Sequence, residues 1–317
     1  MKQTKHNRWP LYTETDQEHC YDKDGQVIPC TGTGQDASFP KTQDWTPTSR
    51  FSIKAQVIKD RFTQAIWSRD ANPVAFPQTW HEALGTAATM RAQRMHGYGD
   101  WQLPSRGLLF SLISHQHVNP AVAARHSFEN IFNGFYWTRD SCCRLPDQAW
   151  YIHMGGGRIH RGMKHGSYLV WPVCPGPAQT QDATRDDRLA RFTVDKDSVY
   201  DRHTGLTWLL DANAIGRRLH WEAAFGAIKA FNGGKVGVKQ AWRLPNIREL
   251  ESLVALDAHT PALPPGHPFV NIQDAYWSST TSVYEPRYAW ALYCQDGYVG
   301  VGYKPQEAFY LWPVRSS

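Results

Sequence analysis

The residues with the most chemistry in this 317-residue chain are one run of cations, one patch of tyrosines and a few thiols and imidazoles. The run is Arg158-Ile159-His160-Arg161-Gly162-Met163-Lys164-His165, with no acid inside it and with Arg139 and Arg144 just upstream. Like charges crowded into one hairpin repel, and an anionic partner relieves that repulsion, because sulfates accept the forked hydrogen bonds of arginine. The competing reading is a solvated basic turn that only aids solubility. The tyrosine patch comprises Tyr293, Tyr298, Tyr303 and Tyr310, with Gln295, Asp296, Lys304 and Arg287 close by in the chain. Rigid aromatics beside adaptable polar groups make good binding surfaces, although tyrosines that merely face a strand explain the same pattern.

Covalent chemistry has less support. Cys20 and Cys30 flank the turn signal Asp22-Lys23-Asp24-Gly25, so a hairpin brings them together as a disulfide in an oxidising compartment. Cys142 and Cys143 are adjacent and one of them is within reach of Cys174, which leaves Cys294 alone in an alternating strand pattern where a thiol is buried rather than nucleophilic. No pair has zinc-ligand spacing, and His115-Gln116-His117 with His126 fits no helical metal pair, so neither a metal nor a cofactor is expected. There is no Gly-rich phosphate loop and no locally supported Ser/His/Asp set.

The elements that must position these groups come from an internal repeat. Arg50-Phe51 matches Arg191-Phe192, Asp60 matches Asp201, Trp67 matches Trp208 and Trp80 matches Trp221, all at one offset of 141 (208 minus 67). The offset carries Trp101-x-Leu103-Pro104 onto Trp242-x-Leu244-Pro245. After one residue of drift Tyr136-Trp137 falls on Tyr276-Trp277 and Trp150 on Trp290, and Trp171-Pro172-Val173 then meets Trp312-Pro313-Val314. Within each repeat, Thr79 with Glu82 and Asn246 with Glu249 read as capping boxes, and Ser105 as a helix N-cap. The stripe Trp221, Ala224, Phe225, Ile228, Phe231 predicts a helix ending at Gly233-Gly234. Tyr288–Cys294, Tyr298–Tyr303 and a closing Phe309–Val314 read as strands, with a turn at Gln295-Asp296-Gly297. Helices followed by an antiparallel sheet give an α+β order. The expected layout is an arm over 1–49, a first repeat over 50–174, a linker over 175–190 and a second repeat over 191–317.

Composition bounds the rest. With 41% hydrophobic residues the chain can bury a sizeable core, and a net charge of +5 is too mild to indicate nucleic-acid binding. No apolar run reaches the length of a membrane span. The start, with charge but no apolar core segment, is not a signal peptide as written, so the chain is cytosolic or its leader has been removed.

Trp242-Arg243-Leu244-Pro245 leading to Glu249-Leu250, Tyr276-Trp277-Ser278-Ser279-Thr280, Ala289-Trp290, Asp296-Gly297-Tyr298 and Trp312-Pro313-Val314-Arg315 together resemble the domain family named after the C-terminal domain of the Legionella collagen-like adhesin. The first repeat matches more loosely, with Gln102 in place of the arginine and Thr138-Arg139 in place of Ser-Ser. The resemblance implies two tandem C-type-lectin-like domains, each of two helices and a twisted antiparallel sheet, placed on a cell surface, in the periplasm or in the medium, and binding sulfated glycosaminoglycans. Related lectin-fold domains serve as variable proteins of diversity-generating retroelements. Glu285-Pro286-Arg287 resembles the calcium-binding triplet of true C-type lectins, but its acidic partner triplet is missing and an ordinary proline turn suffices. The function expected is therefore non-catalytic binding of a glycan, protein or other anionic polymer on the terminal hairpin face. An enzyme of the formylglycine-generating type, using Cys294 or Cys142-Cys143, and a structural component that self-associates as a homo-oligomer are the alternatives.

Overall fold

The computed structural model describes residues 13–176, 191–233 and 241–316. The linker expected at 175–190 therefore lies, from residue 177, outside the described residues, as does Gly234.

The arm carries a two-stranded hairpin, β1 (Cys20–Tyr21) and β2 (Val27–Ile28), closed by the Cys20–Cys30 disulfide. Each repeat then begins with a β-hairpin rather than with the helices the sequence pattern put first. In the first repeat β3 (Phe51–Lys54) and β4 (Val57–Asp60) are followed by β5 (Ile66–Ser68). Arg50 closes this hairpin with two bonds to buried Asp60, at 3.1 and 2.8 Å, and Arg191 does the same to Asp201 at 2.9 and 2.7 Å. Two parallel bonds between a fork and a carboxylate satisfy charges that would be costly to bury alone.

Helix α1 (Trp80–Ala92) starts at the Thr79–Glu82 capping box, and the short α2 (Arg106–Ser111) starts at Ser105, whose hydroxyl accepts from the Leu108 amide. The strands β6 (Phe135–Ser141), β7 (Gln148–His153) and β8 (Ile159–Met163) follow, and β9 (Val173–Cys174) returns to pair with β5. The second repeat has the same order. It runs β10 (Phe192–Asp195), β11 (Ser198–Asp201), β12 (Leu206–Leu209), α3 (Trp221–Phe231), α4 (Ile247–Glu251) with its Asn246–Glu249 capping box, β13 (Ala275–Thr281), β14 (Tyr288–Tyr293), β15 (Tyr298–Tyr303) and β16 (Val314–Ser316). The closing strand expected at Phe309–Val314 is displaced. Phe309 and Tyr310 form only isolated bridges, to Leu219 and Tyr276, and β16 joins the opening hairpin's sheet beside β12. The stripe on α3 buries Trp221, Ala224 and Ile228 but leaves Phe231 exposed.

The two repeats share one antiparallel sheet. Its order is β13-β14-β15-β8-β7-β6, and the joint is the pairing of Val299 with Ile159. Those residues occupy equivalent places in the two repeats, so the joint lies on a local twofold axis. Apolar residues of both repeats form one buried cluster behind it, including Leu109, Ile113, Trp150 and Ile159 with Ile247, Leu250, Trp290 and Val299. Two buried arginines cross the junction. An Arg106 nitrogen donates to the Gly297 carbonyl at 2.5 Å, and one of Arg248 donates to the Ile113 carbonyl at 2.6 Å. The sheet's other face is covered by α1 in one repeat and α3 in the other.

Ten of the twelve paired tryptophans are buried; Trp80 and Trp242 keep part of their rings in solvent. Cys142, Cys143, Cys174 and Cys294 are free, so the bridge expected to Cys174 is not made; Cys174 packs instead with Val57, Met90 and Trp101. Among the described residues no helix is long and apolar enough to cross a membrane.

Candidate functional site

At the junction of the repeats lies a groove of about 610 Å3, lined by His160 and Arg161 from β8, by Tyr293, Gln295, Asp296 and Tyr298 around the β14–β15 turn, and by Thr260, Pro261, Ile272, Gln273 and Asp274 from the loops of the second repeat. Gly297 makes the turn possible. Its φ is +84°, and a Cβ there would come within 2.5 Å of Val254. The turn is tied down by the Thr260 amide donating to the Gln295 carbonyl and by the Ala262 amide donating to the Cys294 carbonyl, each at 2.7 Å.

Asp296 organises the polar end. It is buried and accepts from Arg161 at 2.6 Å and from Arg144 at 3.3 Å. The cationic run therefore has an acid after all, supplied by the other repeat, and the self-repulsion expected from its sequence is relieved inside the molecule at Arg161. Arg158 is exposed, and its charge acts on Tyr293 and Tyr298, opposing the rise that burial gives both phenols. The aromatic side is continuous. Tyr293 and Tyr298 sit 4.9 Å apart between centroids, His160 meets Tyr298 edge-on at 4.7 Å, and Tyr151 follows at 5.8 Å from His160. The His160 Nδ1 lies 2.8 Å from the Arg161 carbonyl, which orients the ring. At the rim Arg218 pairs with Asp274 at 2.7 Å and lies 5.3 Å from the Tyr310 ring.

His160, Arg161, Tyr293, Gln295, Asp296 and Tyr298, proposed from the sequence in two separate groups, thus line one groove, with Arg144 bound to its acid, Arg158 beside it and Tyr310 near its rim. The others lie elsewhere. Arg139 donates to Gln102 at 2.6 Å, Arg287 pairs with Glu285 at 2.9 Å, and Tyr303 packs on Tyr288 at 5.3 Å. Lys164 lies over Trp80. Lys304 is a correction to the exposed-hairpin reading: it is 0% exposed, sealed beneath the arm, and holds no free face for a ligand. Thr260, Gln273, Asp274 and Arg218 were not visible from the sequence, because they lie in loops with no motif and reach the groove only through the fold.

The twofold-related position is built differently. Where Asp296 stands in one half, Gly156 stands in the other, and where Arg144 stands, Tyr284 does. The Tyr284 ring approaches Gly156 so closely that a Cβ there would lie 2.9 Å from it, and His153 packs nearby with centroids 6.3 Å apart. One framework carries a polar groove on one side and an aromatic contact on the other.

No thiol at the site is poised for chemistry. Cys294 is buried, and burial pushes its thiol well above the usual range, away from the thiolate a nucleophile requires. Among the described residues no three acids, imidazoles or thiols cluster so as to hold a metal ion.

The family model of the Lcl C-terminal domain matches residues 56–174 and 197–315. That is more than half of the chain, and the protein belongs to this family with two tandem copies of its domain. No curated protein matches the chain.

Proposed function

We propose that this protein is a non-catalytic binding module of the adhesin kind, displayed on a cell surface or secreted, that holds a glycan in the groove between its two copies. The observation that carries the reading is the groove's composition: an aromatic wall of Tyr293, Tyr298 and His160 facing the amide and hydroxyl groups of Gln273, Gln295 and Thr260, with the exposed Arg158 acting on both tyrosines. Sugar rings lay their C–H faces on aromatic rings, and planar amides bond their hydroxyls. The raised thiol of Cys294 argues against an enzyme of the formylglycine-generating type that would use it, and the Cys20–Cys30 disulfide supports an oxidising compartment. A C-type-lectin-like architecture for each copy belongs to the same reading.

The local electrostatics refine the ligand. Asp296 occupies both Arg144 and Arg161, so a chain carrying one anionic group per few sugars, met by Arg158, fits better than a densely sulfated one. The test is a glycan array containing neutral, carboxylated and sulfated chains, read at low and physiological salt, for wild type, Tyr298→Ala and Arg158→Ala. Tyr298→Ala is expected to abolish binding to every hit, and Arg158→Ala to remove only the salt-sensitive part. Hits unaffected by Tyr298→Ala would place the ligand elsewhere.

A further inference from the structure

The arm does not lie on the second repeat at random; it fills a site that the first repeat also possesses and that no other described segment covers there. In the second repeat the Lys304 amide donates to the Arg287 carbonyl, the Trp221 amide to the Lys304 carbonyl at 2.9 Å, the Trp221 indole to the Ser278 carbonyl at 2.8 Å, and the Lys304 ammonium lies 4.2 Å from the Trp221 ring. The first repeat reproduces every one of these contacts. The Lys164 amide donates to Asp147, the Trp80 amide to Lys164 at 3.0 Å, the Trp80 indole to Thr138 at 2.8 Å, and the Lys164 ammonium lies 4.4 Å from Trp80.

The difference is the occupant. On the second repeat the disulfide-closed hairpin offers the carbonyls of Tyr21 and Asp22 to the Lys304 ammonium, at 3.4 and 3.0 Å, and lays Gly25 against Pro286 and Arg287, where a Cβ would come within 3.2 Å. Its Lys23 amide donates to Glu222 at 3.2 Å. Trp221 and Lys304 are withdrawn from water completely. On the first repeat Trp80 and Lys164 stay partly exposed, and the ammonium turns back to the Pro146 carbonyl at 2.7 Å.

We propose that this open cradle on the first repeat docks a tight, glycine-containing acidic turn of a second polypeptide. The turn follows from the template: two successive carbonyls for the ammonium and a residue without a side chain against Pro146. The acidity follows from what has changed. Exposed His81 replaces Glu222, and exposed His165 replaces Pro305, so the partner residue at the place of Lys23 meets imidazoles instead of a carboxylate. The arm itself is a poor occupant here, because its Asp36, which accepts from Thr280 at 2.6 Å in the second repeat, would meet Asp140.

The probe is a disulfide-closed peptide with the sequence of residues 18–31, fluorescently labelled, made with Lys23 and with Lys23→Glu, and titrated against the full chain by anisotropy. The Glu peptide is expected to bind saturably and more tightly than the Lys peptide. Lys164→Met should weaken it about tenfold, the scale of one lost charge-assisted contact, and His81→Glu, an exposed change that leaves the core alone, should weaken it as well. Lys304→Met should leave it unchanged. No saturable binding, equal binding of both peptides, or binding that survives Lys164→Met and His81→Glu but responds to Lys304→Met would overturn the proposal; the last result would mean exchange into the arm's own site. The glycan array is independent of all these outcomes.

Discussion

Lys304 offers the sharpest test of how the arm is held. The side chain is 0% exposed between the Trp221 ring and the hairpin, and burial brings its ammonium down from the usual lysine range to about 7, with Asp22 and Glu222 opposing that fall. The folded state therefore binds this proton less tightly than the unfolded chain. Where the pH lies between the two values, unfolding takes up a proton, and stability rises with pH at up to about 1.4 kcal/mol per unit. Below about pH 7 both states are protonated and the full cost of the buried charge is present; above the ordinary lysine range it vanishes. Lys304→Met keeps the length of the side chain and its packing on Trp221 but has no proton to exchange. The free energy of wild type minus that of the variant, from urea unfolding followed by tryptophan fluorescence at several pH values, is expected to move in favour of wild type by roughly 2 to 3 kcal/mol over two pH units above neutrality. A difference that stays flat with pH would show that the hairpin does not seal Lys304 and would refute the account of the arm.

Asp201→Ala leaves Arg191 buried without its carboxylate and is expected to cost about 3 to 5 kcal/mol in urea unfolding, and Asp60→Ala a similar amount. Leu244→Ala should cost about 2 to 5 kcal/mol, while Trp242→Ala should cost less than Trp101→Ala, since Trp101 is 0% exposed and Trp242 only half-buried; thermal melting of the three variants checks the order. Asp296→Asn removes the acid shared by Arg144 and Arg161, so heparin binding should become tighter and more steeply salt-dependent than in wild type, measured by affinity at two ionic strengths.

By itself the sequence determined whatever depends on neighbours along the chain. The capping boxes at Thr79 and Asn246 each need two residues three apart, the β14–β15 hairpin needs its alternation and its glycine, and the arm's disulfide needs two cysteines flanking a turn; all were legible. The repeat was legible because tryptophans too large to leave exposed recur in register. Periodicity says which face is buried but not what covers it. That is why the match of Trp242 to Trp101 does not tell that only Trp101 is fully buried, and why Phe231 was counted in an apolar stripe that the structure leaves in solvent at its end. Only the tertiary structure decided that β8 and β15 join the repeats, that Asp296 reaches Arg144 across 152 residues of chain, and that Lys304 meets the Asp22 carbonyl across 282. Contacts of that span leave no local mark, because a charge next to its own neighbours reads the same whether or not a distant residue neutralises it. The groove and the arm's seal are both made of such contacts, and the fold that brings them together is what turns a duplicated scaffold into two copies with different surfaces.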